Sequence, residues 1–506
     1  MSGTNTRDSP RVQEAEGDGD EAAPPMRRSI SGDVKRVLAG DAGDQLASIV
    51  RGMAVPLIVS PIQYGLWRIV LLVWQYGIYL HLGAFALLNR EVPGQLALGE
   101  HAESKRIRQT AFWGTMAVAF AAAIGLVAYS LTGVPRANRE LSWALRISAV
   151  GLVVQQVFVY VMLHYRVHAN FRSMSLVAVS RGVCSLVFML PLGFIAGVPG
   201  LAAGMLLSTG LTAAAFGGPV YYGAPTLRVK AFLGQARRGV PLSSLPFLNS
   251  SIGSVGQVVS AGVLGLEAAG HYGLGLMMGT IVYAIPRSLG IVLYPRYLES
   301  YATSRGSTET GALMRRSLHV TSVTSTLAVC IGAILLKPLY YVVFPQYLPA
   351  LAPSYALIAM MPFLSYALVL QNALLAMRLH AQVIKIQITS IVVSAVLSLL
   401  GALVIGDVLW VAVGVMVAHG LYGLATLRLG FSAAPLRGRS PLREVAAELV
   451  PALFMGGATL AILLWWRAPN EPSSLVRVAL TQLLILSPIA AWFCFRTWRS
   501  LRPLGA

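Results

Sequence analysis

Charge is what this sequence has least of. Only 12% of its 506 residues are Asp, Glu, Lys or Arg, against about 25% in a typical soluble domain. Acids are the scarcer half, 20 against 39 basic residues. Such a shortage excludes a water-soluble surface over most of the chain. Cysteine is nearly absent: Cys184, Cys330 and Cys494 each sit in an apolar run without metal-ligand spacing. That excludes a disulfide framework and leaves three small apolar side chains. No G-x-G-x-x-G, H-E-x-x-H or P-loop occurs, and His81, His164, His168, His271 and His319 do not cluster by spacing. The connections assigned to the outside, such as 132–141, 341–349 and 466–476, are too short to hold a catalytic domain. These absences argue against an enzyme.

What is abundant is apolar length. Hydrophobic residues make up 56% of the chain, and mean hydropathy is +0.67. A bilayer core needs roughly 20 apolar residues per helix. Such runs recur from about residue 54 to 495, and they are continuous rather than alternating, which excludes a transmembrane barrel. The sequence therefore predicts an all-α polytopic membrane protein with about 14 transmembrane helices. The spans are 37–58, 64–88, 110–131, 142–163, 173–195, 200–222, 245–266, 272–293, 318–340, 350–373, 384–405, 408–428, 446–465 and 477–495.

The net charge of +19 would suggest nucleic acid in a soluble protein. Here the basic residues lie in short loops, where cytoplasmic retention and anionic lipid account for them, and no nucleic-acid partner is expected. With fourteen spans and an inside N-terminus, the near-membrane inside segments hold 27 Lys and Arg and the outside connections hold 5. Removing one middle span would scramble that bias, so both termini are assigned to the inside.

A weak self-similarity divides the chain. Tyr64-Gly65-Leu66 opens the second span, and Tyr272-Gly273-Leu274, 208 residues later, opens the eighth. Six helices lie between equivalent positions, which suggests two six-helix lobes followed by two C-terminal helices. The expected organisation is a disordered cytosolic tail (1–36), an N-terminal lobe (37–222), a cytoplasmic connection (223–244), a C-terminal lobe (245–428), two additional helices (429–495) and a cytosolic tail (496–506).

The residues Tyr64-Gly65, Asn89-Arg90-Glu91-Val92-Pro93, Tyr272-Gly273, Ile285-Pro286 and Tyr294-Pro295-Arg296 resemble the bacterial polysaccharide-biosynthesis flippases. These are the O-antigen and exopolysaccharide members of the multidrug/oligosaccharidyl-lipid/polysaccharide exporter superfamily. The resemblance covers roughly residues 35–495. It implies two lobes that alternate access in the bacterial inner membrane, moving an undecaprenyl-diphosphate-linked oligosaccharide to the periplasmic leaflet. It also implies membrane lipids, a polysaccharide polymerase and export machinery as partners. No cofactor is implied, and H+ or Na+ coupling is left open. The first helix departs from the pattern by its polarity.

Basic residues inside spans supply the candidate site. They are Arg51, Arg68, Arg146, Arg181 and Arg287. Arg146, near the outer end, is expected to snorkel. Arg68 shares a helical face with Tyr64, Gln75 and Tyr76. Arg287 follows Pro286, which can kink the helix. Asp44 could serve Arg51, while Arg181 and Arg287 have no obvious acid. A guanidinium matches phosphate oxygens bidentately, so Arg51, Arg68, Arg181 and Arg287 are candidates for a diphosphate. Gln75, Tyr76, Asn249 and Gln257 are candidates for sugar. Each could instead serve structure, by ion pairing or interhelical hydrogen bonding. The rival functions are a multidrug exporter of the same superfamily, which would want deep acids, and a flippase for the peptidoglycan lipid precursor, which would use similar arginines.

The charge bias generates a test. Reporter fusions after residues 136 and 470 should both read as periplasmic, and cytoplasmic signals at both positions would overturn the fourteen-span topology.

Overall fold

The computed structural model describes residues 30–133, 138–283, 297, 308–434, 446, 449–450, 453–459 and 472–501. All the regular structure among them is helical. The helices are α1 (Ile30–Ile58), α2 (Pro61–Gly77), α3 (Ala84–Ala97), α4 (His101–Ser130), α5 (Arg139–Val167), α6 (Phe171–Gly217) and α7 (Val229–Val259). After them come α8 (266–283), α9 (Thr308–Val342), α10 (Leu351–Ala359), α11 (Met361–Ala376), α12 (His380–Leu400), α13 (Val408–Ala433) and α14 (Pro472–Leu501). Among the described residues, nine helical stretches are long and apolar enough to cross a membrane, or ten if a bent pair counts as one.

The bent pair is the second span. Ser60 and Gln63 start α2 with a reciprocal capping box, with Pro61 at the first helical position, where a missing N–H costs nothing. The helix breaks after Gly77 and resumes at Ala84 with a 46° bend. Inside a bilayer, each carbonyl freed by a break must find a donor. The amide of Gln156 donates to Gly77 O at 2.7 Å, and that of Gln155 to Trp74 O at 3.1 Å. These two glutamines are interhelical ties.

The 47 residues of α6 would make a straight rod of about 70 Å, more than twice a bilayer core. The chain reverses at Gly197, whose φ of 60° and ψ of −136° break the helix. Beyond it, Gly200 packs on the backbone of Leu192, and Gly204 on that of Met189. In a straight rod, residues 189 and 204 would stand about 22 Å apart. The stretch is therefore a hairpin, turning between the expected spans 173–195 and 200–222. Its first arm runs parallel to α1, with Gly40 against Ser175, Gly43 against Val179 and Gly182 against Ala47. Small residues permit this close approach.

The most closely packed pairs form two sets, α1 with α6 and α4–α6 with one another, and α7 with α9–α14. The linking stretch 223–244 is helical over most of its length. From Val229 it is already part of α7, and it lies on α3 and α4. Phe232 fills the space left by Gly114, and Gln235 donates to Ile107 O at 3.2 Å.

The two sets meet where α7 lies on α3 and α4, and again at the end that the charge pattern assigns to the outside. There the backbones of α2 and α8 touch, Gly65 against Leu266 and Gly270 against Pro61. The last carbonyls of α1 have no intrahelical donors. Gln346 donates to Pro56 O at 3.1 Å, and Tyr347 donates to Val59 O at 2.9 Å. The Tyr347 ring also meets Tyr64 edge-on, with centroids 5.9 Å apart. Span eight beyond residue 283, half of span thirteen, residues 1–29 and 502–506 of the expected tails and Arg287 lie outside the described residues, whereas 30–36 and 496–501, expected as tail, are helical ends of α1 and α14.

Tyr347 is fully buried, so Tyr347→Phe leaves Val59 O without that donor. The expected cost is about 1–2 kcal/mol, seen as a lower unfolding midpoint in detergent. An unchanged midpoint would mean that this bond does not hold the outer seam.

Candidate functional site

Between the two sets of helices lie two adjoining chambers. The smaller, about 150 Å³, is lined by Gln45, Ser48, Arg51, Tyr64, Trp67, Arg68 and Thr280, among others. The larger, about 440 Å³, is lined by Arg68, Gln75, Asn249, Ser254, Gln257, Thr280, Tyr283 and His419, among others. Arg68 and Thr280 line both, so Arg68 stands where the chambers join.

Arg68 is positioned from three directions. Its Nε donates to Gln257 Oε1 at 3.3 Å. Gln257 is oriented in turn, because its amide nitrogen donates to Ala269 O at 2.9 Å. The side-chain stem of Arg68 lies against Gly273, where any larger residue would collide with it. This explains why the second Tyr-Gly pair matters: its glycine makes room for the arginine that follows the first pair. Along the same seam, Gln75 donates to Ser254 Oγ and Tyr76 to Ser251 Oγ, both at 3.3 Å. Tyr76 also packs edge-on against Phe247. These three contacts step along α2 and back along α7, as an antiparallel pair requires.

Arg51 reaches the smaller chamber from α1. One guanidinium nitrogen donates to Ser185 Oγ at 2.7 Å and the other to Ser48 Oγ at 3.2 Å. Here the expected pairing is corrected. Asp44 does not serve Arg51. It binds Arg181 at 2.7 Å, and Arg181 also lies over the Phe158 ring at 5.0 Å. The parallel packing of α1 and α6 explains the exchange. Asp44 and Arg181 stand level across the pair, whereas Arg51 is two turns further along α1, level with Ser185. Arg181 thus has the acid that sequence inspection did not find, and it lines neither chamber.

Of the sequence candidates, the structure brings together Arg51, Arg68, Gln75, Asn249 and Gln257 as chamber walls. Tyr76 braces the seam beside them. Arg287 lies outside the described residues. Arg146 sits on Trp143 at 5.0 Å and bonds Ser130 Oγ, away from both chambers. Sequence reasoning missed Ser48, Ser254, Thr280 and His419. The signal for His419 was a lone histidine in the middle of an apolar run. The others are single hydroxyls that any apolar helix carries.

The electrostatic balance is one-sided. The described lining of both chambers holds two arginines and no Asp or Glu. Among the described residues, no carboxylate pairs with Arg51 or Arg68. A cation left unpaired in a low-dielectric site is costly unless water or an anion reaches it. The pair formed by Asp44 gives a separate prediction. Asp44→Asn strands Arg181 and should lower thermal stability, and adding Arg181→Gln should restore most of the loss. If Asp44 were instead the acid that couples transport to a cation, the double variant would recover stability but not transport.

No family model matches the chain, and no curated protein sequence does. Solved structures do match in fold. A lipid II flippase, MurJ, in an inward closed conformation aligns with a TM-score of 0.67 over 91% of this chain and 98% of its own, at 11% identity. A multidrug resistance MATE family transporter of the MOP superfamily, inward-facing, gives 0.59 over 80% and 95%, at 14% identity. A mutant of the Vibrio cholerae MATE transporter VcmN gives 0.53 over 81% and 98%, also at 14%. The chain is a multi-pass membrane protein with the fold shared by MurJ and the MATE transporters of the MOP superfamily.

Proposed function

We propose that this protein is an alternating-access flippase of the bacterial inner membrane that carries a polyprenyl-diphosphate-linked saccharide between leaflets. The observation that carries the reading is the pair of adjoining chambers that meet at Arg68, whose described lining holds two arginines and no acid. A diphosphate leaving the headgroup region needs compensating charge, and guanidinium supplies both charge and a matching fork. Arg51 and Arg68 would hold it, with Arg287 as a further proposed contact. Gln75, Asn249 and Gln257 would face the sugars. Arg181, neutralised by Asp44, would fix α1 against α6.

A drug exporter is less well supported. A cationic drug would meet two arginines and, among the described lining residues, no carboxylate. Within the lipid-linked class, the sequence alone favoured an exopolysaccharide carrier. The greater likeness to a lipid II flippase than to the MATE transporters supports the peptidoglycan lipid precursor instead, and we take that as the leading substrate. The chemistry asked of the site is binding and release, so the reading is of a transporter and not an enzyme. Fourteen spans in two six-helix lobes with two added helices remain part of this proposal, as do both termini inside.

Two measurements test it. Expression in cells depleted of their own lipid II flippase should restore growth. Failure there, with rescue of an exopolysaccharide-flippase deletion, would move the substrate back to the polysaccharide carrier. Failure of both, with raised drug resistance, would overturn the proposal. For the site, purified Arg68→Ala protein should bind the diphosphate-linked saccharide at least about tenfold more weakly, roughly 1.4 kcal/mol. Binding of the phosphate-free saccharide should barely change. Arg68→Lys should recover only part of the loss, since it restores charge without the fork. Equal diphosphate binding by wild type and Arg68→Ala would remove Arg68 from the site.

A further inference from the structure

A further arginine without a carboxylate partner among the described residues lies away from the chambers. Arg108, in the second turn of α4, is only 3% exposed, and its Nε has no hydrogen-bond partner. Among the described residues no carboxylate pairs with it or with Lys105, one turn earlier. The nearby acids are engaged elsewhere, Glu103 with Arg106 and Glu91 with Arg238. Both cations reach the same ring. Lys105 Nζ lies 5.8 Å and the Arg108 guanidinium carbon 5.6 Å from the centroid of Tyr221.

The place is built rather than incidental. Tyr221 belongs to the segment between α6 and α7, and four side-chain bonds tie that segment to α4 and α5. Tyr160 donates to Tyr221 O at 2.8 Å, Trp113 to Gly223 O at 3.2 Å, and Gln109 to Ala224 O at 2.6 Å and Thr226 Oγ1 at 2.9 Å. The ring is therefore held where the two cations meet it. On its other side, Arg108 borders a void of about 10 Å³ shared with Tyr160 and His164. That void has room for about one water and none for an anion. Whatever balances the charge must come from the Tyr221 side, where Lys105 is exposed.

We propose that Lys105, Arg108 and Tyr221 form a binding site for the phosphate of an anionic phospholipid in the cytoplasmic leaflet. The charge pattern puts this end of α4 on the inside, where anionic lipid concentrates. A phosphodiester oxygen between the ammonium and the guanidinium would make charge-assisted bonds to both. Tyr221 would brace the two long side chains and reduce the entropy lost on binding. The site does not depend on what the chambers carry. It would anchor α4 and the segment joining the two halves to the inner leaflet.

The test uses purified full-length protein in neutral detergent, titrated with short-chain phosphatidylglycerol and read by native mass spectrometry. Lys105→Glu should weaken binding of the first lipid at least about tenfold, through a lost contact and added repulsion. Lys105 is exposed, so this variant should fold. Arg106→Glu makes the same charge reversal one position away, at a side chain that binds Glu103 rather than Tyr221, and should change binding less than about twofold because exposed charge at that distance is screened. Arg108→Lys should bind more weakly than wild type, since the fork is lost. Phosphatidylcholine should not compete, and millimolar inorganic phosphate should not displace the lipid. Equal losses in Lys105→Glu and Arg106→Glu would overturn the site in favour of general surface attraction. No loss in Lys105→Glu, leaving Tyr221 alone as the partner of Arg108, would overturn it as well. Displacement by inorganic phosphate would make it a soluble-anion site and overturn the lipid assignment.

Discussion

Every break in a membrane helix frees carbonyls that lipid cannot satisfy, and the placement of donors for those carbonyls shapes this protein. Gln155 and Gln156 on α5 hold the broken end of α2. Gln346 and Tyr347 hold the end of α1. Because these donors come from distant parts of the chain, each repair of a helix end is also a long-range contact. The bundle is tied together at the points where its helices stop.

The same bonds position the candidate site. Once the amide nitrogen of Gln257 is committed to Ala269 O, its oxygen is left facing Arg68. The close approach of α2 and α8 at Gly65 and Gly270 sets the outer limit of the chambers. The seam of Gln75, Tyr76, Ser251 and Ser254 lies further along α2, and its bonds are 3.3 Å long. Bonds of that length to neutral side chains are weak ties. At the outer end the halves meet more closely, through the α2–α8 backbone approach and the Tyr64–Tyr347 ring pair.

Charge is distributed by the same economy. Acids are few, and the placing of one decides the state of several basic residues. Asp44 is assigned to Arg181 by the parallel register of α1 and α6. Arg51 is left with hydroxyls, and Arg68 with an amide. Hydroxyls and amides solvate a guanidinium without neutralising it, so both arginines remain able to attract an anion. Arg108 follows the same rule near the start of α4, with an aromatic face in place of the hydroxyls.

The sequence by itself determined the class of molecule. Apolar runs of bilayer length permit only helices, because each residue's polar backbone must be paired within its own segment. It also marked Arg51, Arg68, Gln75, Asn249 and Gln257, since a polar residue inside an apolar run needs a reason wherever the helix ends up. The turn at Gly197 and the break after Gly77 were less visible. Glycine and proline recur throughout these helices, and only the packing of Gly200 on Leu192 shows which glycine reverses the chain. Partners were not legible at all. Asp44 is seven residues from Arg51 and 137 from Arg181, yet it pairs with the distant one. Helical spacing ranks neighbours along one helix, whereas the depth at which two helices cross is fixed by the small residues that let them touch. Only the tertiary structure decided that Arg68 joins two chambers and that Arg181 lines neither.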